Sequence, residues 1–249
     1  MEHKRYVLPD TLRGLILLSM LTYHTVWDMV YLFGQKWDWF ESNWALGWQQ
    51  SICWSFILLS GFCWSFGRRK WKRGIIVFIA GSIISLVTIT VMPENRVLFG
   101  VLTMLGSSMV FMIPVEKVLR RMNPYVGLLG AFFLFSYMKN IDNGSLGWEK
   151  FGYVKVPENW YANLFSAYWG LPEKGFFSAD YFGIFPWLFL FVTGYFVYRI
   201  FEKNQWLNVL NVGKVKPLEM LGKNSLLVYM VHQPLIYGVL TVVYRVFVK

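Results

Sequence analysis

Two ionisable residues in an otherwise apolar stretch are the first candidates for chemistry in this chain. His24 and Asp28 follow a run of apolar and small residues and are four positions apart. On a helix, that spacing places both side chains on one face. A neutral imidazole can accept a proton from an attacking hydroxyl or amine, while a carboxylate can hold the imidazole in one tautomer. The pair therefore fits general-base catalysis; the alternative interpretation is a buried histidine bonded to a neighbouring helix.

An acidic and a basic residue lie at the start of the segment that contains His24. Asp10 and Arg13 are three positions apart, so they can form an ion pair that seats the helix at a membrane edge. Alternatively, Arg13 can bind a phosphate. On a continuous helix Arg13 lies about 16 Å along the axis from His24. One helix would then carry a charged group near one membrane face and a histidine well inside the hydrocarbon or towards the other face.

A basic run occupies positions 68–73. It contains Arg68, Arg69, Lys70, Lys72 and Arg73. Such a cluster can hold the phosphates of a cytosolic cofactor such as coenzyme A, or bind anionic lipid headgroups. The same residues can instead be a signal for membrane topology, because cytoplasmic loops carry an excess of Lys and Arg. The sequence leaves both interpretations open.

A second histidine lies in the apolar segment that follows Gly222. His232 and Tyr229 are three positions apart, so they share a helical face. A polar face within an apolar helix either packs the bundle or lines a cavity. The sequence contains no Gly-x-Ser-x-Gly nucleophile motif, no phosphate-binding glycine loop and no metal-ligand cluster. We therefore expect no metal.

The elements that must position these residues are membrane-spanning helices. The chain is 56% hydrophobic and only 15% charged, whereas soluble domains average about 25% charged residues. Several apolar stretches reach the roughly 20 residues needed to cross a bilayer. We predict an all-α polytopic transmembrane bundle of about seven spans, forming a single domain over residues 1–249. The predicted spans are Leu12–Phe33, Leu46–Phe66, Gly74–Met92, Val97–Val115, Tyr125–Met138, Tyr181–Ile200 and Asn224–Phe247.

The distribution of basic residues predicts the orientation. Most of the 24 Lys and Arg residues fall in segments that are cytoplasmic if the N-terminus is inside. The same distribution explains the net charge of +10 without nucleic acid, for which no basic stripe with a binding motif is present. The long outer segment Lys139–Asp180 is rich in aromatic and amide side chains. These rings suit sugar binding, but they are also typical of an interfacial aromatic belt.

Five segments, in order along the chain, resemble those of one family of membrane enzymes. They are Asp10–Gly14 with the helix to His24, Ser60–Gly61, Val97–Gly106, Ser178–Trp187 and Gly222–His232. The chain resembles the heparan-alpha-glucosaminide N-acetyltransferase catalytic-domain family, and the likeness covers most of its length. The resemblance implies an integral membrane acyltransferase that takes an acetyl or other acyl group from cytosolic acyl-CoA. The group would pass to a sugar amine or hydroxyl on the opposite face.

Together with the resemblance, the residues singled out above lead to a hypothesis for the role of each. His24 would be the general base, and Asp28 would orient it. Donor binding would fall to Arg13, Arg68, Arg69, Lys70 and Arg73, and acceptor binding to Asp180, Tyr181, Trp187, Tyr229 and His232. The lysosomal member has a proposed catalytic histidine in its first non-cytoplasmic loop, and Gly34–Ala45 here has none. The position of His24 instead resembles the histidine of a related bacterial family that modifies surface polysaccharides.

These expectations describe an integral protein of a bacterial plasma membrane. Its partners would be the lipid bilayer and a glycan or amino-sugar acceptor of the cell envelope. No nucleic acid is expected, and the sequence leaves the oligomeric state open. The chief alternative is a transporter or lipid-binding membrane protein whose buried histidines relay protons.

Overall fold

A computed structural model describes residues 6–247 and shows a mostly helical protein. In chain order the helices are α1 (Val7–Tyr31), α2 (Asn43–Trp64), α3 (Lys70–Val91), α4 (Val101–Leu119), α5 (Pro124–Tyr137), α6 (Leu164–Trp169), α7 (Ile184–Lys203), α8 (Lys216–Lys223) and α9 (Ser225–Phe247). Two short strands, β1 (Ser145–Trp148) and β2 (Gly152–Lys155), form an antiparallel hairpin in which Ser145 pairs with Lys155.

Each of the seven predicted spans overlaps one helix, with ends that differ by a few residues. Within the described residues, four helices are long and apolar enough to cross a membrane: α3, α4, α7 and α9. The other three do not meet that standard. The 14 residues of α5 extend about 21 Å, short of the roughly 30 Å hydrocarbon core. The structure thus supports four spans, and a count of seven stays a prediction.

The chain forms two compact units. Unit 1 comprises Met1–Phe56 and Gln205–Lys249, and unit 2 comprises Ile57–Asn204. In unit 1, α1 packs against α8 and α9. In unit 2, α3 packs against α4, and α7 packs against α4 and α5. Each unit therefore places a different set of candidate residues.

Two glycines bring α1 and α8 into backbone contact. A Cβ atom on Gly14 would lie 1.9 Å from the carbonyl oxygen of Leu218, and one on Gly222 would lie 1.9 Å from that of Asp10. Only glycine therefore fits at either position. Small residues at helix interfaces allow close approach where lipid gives no hydrophobic drive for association. This crossing fixes the start of α1, the helix that carries His24.

Two segments outside the predicted spans contain regular structure. Lys139–Asp180 includes the hairpin and α6, and the polar stretch after α7 includes α8. The start of α6 is a capping box, in which Asn163 and Ser166 satisfy each other's backbone donors. The start of α8 carries Pro217 in its first turn, where a missing N–H costs little. Both helices are too short for a periodic pattern to identify them.

Candidate functional site

The site in unit 1 is built around two histidine rings. His24 on α1 and His232 on α9 have ring centroids 4.7 Å apart, with an angle of 60° between the planes. The Nδ1 atom of His232 lies 2.6 Å from the carbonyl oxygen of Tyr229. A carbonyl oxygen only accepts, so we assign the proton to Nδ1. In the neutral ring the lone pair is then on Nε2.

That Nε2 atom is the chemically available nitrogen of His232. It is buried and has no hydrogen-bond partner among the residues that the structure describes. The His24 ring is more accessible, and its described contacts are ring contacts to Tyr23 and His232. A pair of imidazoles, one with its tautomer set by a backbone carbonyl, can accept and pass on a proton.

Asp28 lies one turn after His24 and is fully buried. Its Oδ1 atom accepts a hydrogen bond of 2.6 Å from Nε2 of Gln233 on α9. Across residues 6–247, no hydrogen bond or ion pair joins Asp28 to His24. The role expected for Asp28 as the group that orients His24 therefore stays a prediction. The spacing of charged residues did not predict its actual partner, Gln233, although a polar residue directly after His232 in an apolar segment indicates a buried contact.

Tyr229 belongs to the same cluster. Its ring centroid lies 5.3 Å from that of His232 and 6.3 Å from that of Phe56. The spacing of Tyr229 and His232 predicts that they share one helical face, and the structure places His232 of that face against His24. Three of the predicted site residues thus come together in unit 1.

Arg13 lies at the other end of α1. Its guanidinium is 3.0 Å from Oδ1 of Asp10, and both side chains are largely buried. The ion pair that the spacing allowed is therefore formed. Along the continuous helix, Arg13 is about 16 Å from His24, so it does not belong to the histidine cluster.

The basic run in unit 2 surrounds the start of α3. Lys70 is bound: its Nζ atom lies 2.9 Å from Glu116 on α4 and 3.8 Å from the centre of the Trp64 ring. Arg68 and Arg69 are exposed, and Arg73 is half-buried. Backbone N–H groups at a helix N-terminus favour anions, and added cations strengthen that field. Arg68 and Arg69 are thus more exposed to solvent than Lys70 is.

The predicted acceptor residues in unit 2 make contacts within that unit. Oδ2 of Asp180 accepts a long hydrogen bond of 3.4 Å from the backbone N–H of Val101, the first residue of α4. The ring of Trp187 packs against Phe135 and Phe182, with centroids 5.6 and 4.8 Å away. These contacts tie the segment before α7 to α4, and the first turn of α7 to α5.

The Tyr181 hydroxyl donates a 2.5 Å hydrogen bond to the carbonyl oxygen of Ala167, at the end of α6. Burial raises the pKa of the Tyr181 hydroxyl, and the negative charge of Asp142 raises it further. The hydroxyl therefore keeps its proton at neutral pH and remains a donor. This hydrogen bond links α6 to the segment directly before α7.

Comparison with known families identifies the chain. The family model described as "Heparan-alpha-glucosaminide N-acetyltransferase, catalytic" matches residues 5–234. The chain belongs to this family. Its resemblance to the heparan-alpha-glucosaminide N-acetyltransferases, predicted from five segments, is thereby confirmed. No match was found among curated proteins or among solved structures.

Membership in the heparan-alpha-glucosaminide N-acetyltransferase family indicates a membrane acetyltransferase. The four apolar helices agree with an integral membrane protein. The matched range includes the histidine cluster with Gln233, the start of α3 and the segment before α7. Every residue for which a role was predicted lies inside it.

Proposed function

We propose that the protein is an integral membrane acyltransferase. It would move an acetyl or other acyl group from cytosolic acyl-CoA to an amine or hydroxyl of a glycan outside a bacterial plasma membrane. The observation that carries this proposal is the family match over residues 5–234. The match runs through both compact units, which supports treating residues 1–249 as one catalytic domain.

The reaction needs a base and a site for the leaving group. The acceptor oxygen or nitrogen attacks the thioester carbonyl carbon and forms the new bond. The C–S bond breaks as the tetrahedral adduct collapses, and coenzyme A leaves as a thiolate. The proton lost by the acceptor passes to the base and then to the thiolate. A positioned imidazole is the commonest group for this task.

We assign the base to His24. Its side chain is half-buried, has no hydrogen bond to a described side chain and contacts the ring of His232, the other imidazole of the cluster. His232 and Tyr229 would line the acceptor side of the same cluster. Asp28, which is bonded to α9 through Gln233, would act as a positioning residue for α1.

Donor binding is assigned to the start of α3. Arg68, Arg69 and Arg73 would hold the 3′-phosphate and pyrophosphate of coenzyme A, since phosphates prefer arginine forks and helix N-termini. Lys70 and Arg13 already pair with Glu116 and Asp10. Arg68 and Arg69 are exposed, so we assign them the larger share of donor binding.

Acceptor binding in unit 2 is assigned to the segment that enters α7. Asp180, Tyr181 and Trp187 would present a carboxylate, a protonated hydroxyl and an aromatic ring, which are the groups that bind sugars. Rings of the aromatic outer segments would also contact the acceptor. Their exposed rings, for example Trp44, Phe151 and Trp160, fit an interfacial belt as well.

The proposal includes seven spans with a cytoplasmic N-terminus, because basic residues cluster in the segments that would then be inside. A reporter fused after Arg73 should be cytoplasmic, and one inserted near Gly152 should be exported. An exported reporter at Arg73 would reverse the orientation and with it the face from which acyl-CoA enters.

The test of function is acyl transfer by the purified full chain in detergent. The protein is incubated with labelled acetyl-CoA and a panel of amino sugars and glycans, and both coenzyme A release and labelled product are measured. Acceptor-dependent release supports the proposal. The second candidate is a proton-coupled transporter, favoured by the unpartnered Nε2 of His232 and the buried Asp28. Uptake driven by a pH gradient in vesicles, without acyl transfer, would support that function instead.

A further inference from the structure

Two side chains meet end to end beside the histidines. Nε2 of Gln233 donates to Oδ1 of Asp28 at 2.6 Å, which ties α9 to α1. Each side chain has one further oxygen, Oδ2 of Asp28 and Oε1 of Gln233. Both of these oxygens are buried, and neither has a partner among the described residues. The pair therefore has one hydrogen bond between its members and two buried oxygen atoms that lack a hydrogen-bond donor.

An ionised Asp28 does not explain this arrangement. A buried carboxylate needs a cation or several donors, because its desolvation is costly. No lysine or arginine within residues 6–247 forms an ion pair with it. The nearest titratable groups along the two helices are His24, one turn earlier on α1, and His232, directly before Gln233 on α9, and neither forms a hydrogen bond with it. Its one donor is the neutral amide of Gln233.

We propose that Asp28 carries a proton on Oδ2 and forms a neutral acid–amide pair with Gln233 that clamps α1 to α9 beside the two histidines. The Oδ2–H group donates to Oε1 of Gln233, while the Gln233 amide donates to Oδ1. One proton therefore satisfies both orphan oxygens. The pair holds the helix of His24 in register without placing a negative charge next to it. This inference goes beyond the proposed acyl transfer and does not depend on it.

The substitution Asp28→Asn separates this pair from a carboxylate that acts by charge. Asparagine has the same shape, and its amide can donate to Oε1 of Gln233 while its oxygen accepts from the Gln233 amide. Both hydrogen bonds survive, so the clamp should remain. Gln233→Leu removes both bonds and leaves the buried carboxyl of Asp28 without a partner. Asp38→Asn, at an exposed loop carboxyl of the same unit, is the matched control.

The experiment is infrared spectroscopy of the purified full chain at neutral pH, together with its thermal unfolding. We expect the wild type to show the C=O band of a protonated carboxyl group that shifts in heavy water. The band should be missing in Asp28→Asn and unchanged in Asp38→Asn. The melting temperature of Asp28→Asn should stay within about 4 °C of wild type. That of Gln233→Leu should fall by about 5 °C or more.

A wild-type spectrum without any protonated-carboxyl band lost in Asp28→Asn would overturn the proposal. So would an Asp28→Asn variant that melts as early as Gln233→Leu. Should Gln233→Leu fail to fold, the spectra of the wild type and Asp28→Asn decide alone. Neither readout uses the enzymatic reaction, so failure here is distinguishable from failure of the proposed function.

Discussion

The backbone contact between α1 and α8 makes the sharpest structural prediction. A methyl group on Gly14 or Gly222 would place its carbon 1.9 Å from a carbonyl oxygen of the facing helix, whereas real Cβ atoms keep at least 3.0 Å. The helices must therefore separate by about 1 Å. Because the obstacle is backbone and not a flexible side chain, the strain cannot be relieved by a rotamer change.

The magnitude follows from known overpacking costs. Forcing an extra carbon into a packed contact destabilises by about 1–3 kcal/mol. Exchanging glycine for alanine in a helix recovers no more than about 1 kcal/mol. The net cost is then at most about 3 kcal/mol, so at about 2–4 °C per kcal/mol for a chain of this size, Gly14→Ala and Gly222→Ala should each lower the melting temperature by up to about 12 °C. The helix that carries His24 should then shift, so acyl transfer should fall as well.

The matched control is Gly238→Ala on α9, where a Cβ atom would meet nothing within 4 Å. It removes the same glycine flexibility without a clash, so its melting temperature should equal or slightly exceed that of wild type. The assay is thermal unfolding in detergent with all three variants side by side. If Gly14→Ala and Gly222→Ala melt no earlier than Gly238→Ala, the close crossing of α1 and α8 is wrong.

Three further predictions concern unit 2. Replacing Arg68 and Arg69 together by glutamine should raise the KM for acyl-CoA more than it lowers kcat, because phosphate contacts stabilise the ground and transition states alike. An unchanged affinity for acyl-CoA would mean that these residues serve only as a signal for membrane topology. Lys70→Met should lower the melting temperature by about 2–4 °C, because Glu116 loses its partner. Adding Glu116→Gln should restore part of the loss. An unchanged melting temperature in Lys70→Met would show that this ion pair does not stabilise the fold. Tyr181→Phe removes one hydrogen bond, worth about 1 kcal/mol, and should lower stability without changing donor KM; a changed donor KM would place Tyr181 in donor binding.

The sequence predicted the helices well because apolar runs report directly on membrane-facing segments. All seven predicted spans overlap a helix. The polar segments were harder, since α8 has only eight residues and its stability comes from contact with α1. That contact depends on Gly14 and Gly222, which are more than 200 positions apart. No local pattern shows that they meet.

The candidate site was predictable residue by residue but not partner by partner. His24 and His232 stood out because ionisable residues in apolar helices are costly. Their proximity requires α9 to pack on α1, which is a long-range contact. Local spacing suggested His24 as the partner of Asp28, but the hydrogen bond goes to Gln233. Lys70 likewise pairs with Glu116, 46 positions away, so spacing alone overstated its availability for a phosphate.

The central claim is that His24 is the base of an acyl transfer from acyl-CoA. Its most direct test is acyl transfer by purified His24→Gln compared with wild type, with acyl-CoA binding measured in parallel. A general base contributes about 100- to 10,000-fold to rate, which is about 3–5 kcal/mol of transition-state stabilisation. We predict that His24→Gln folds, binds acyl-CoA as wild type does and loses turnover by a factor in that range. A folded His24→Gln that keeps more than about a tenth of wild-type turnover would contradict the claim.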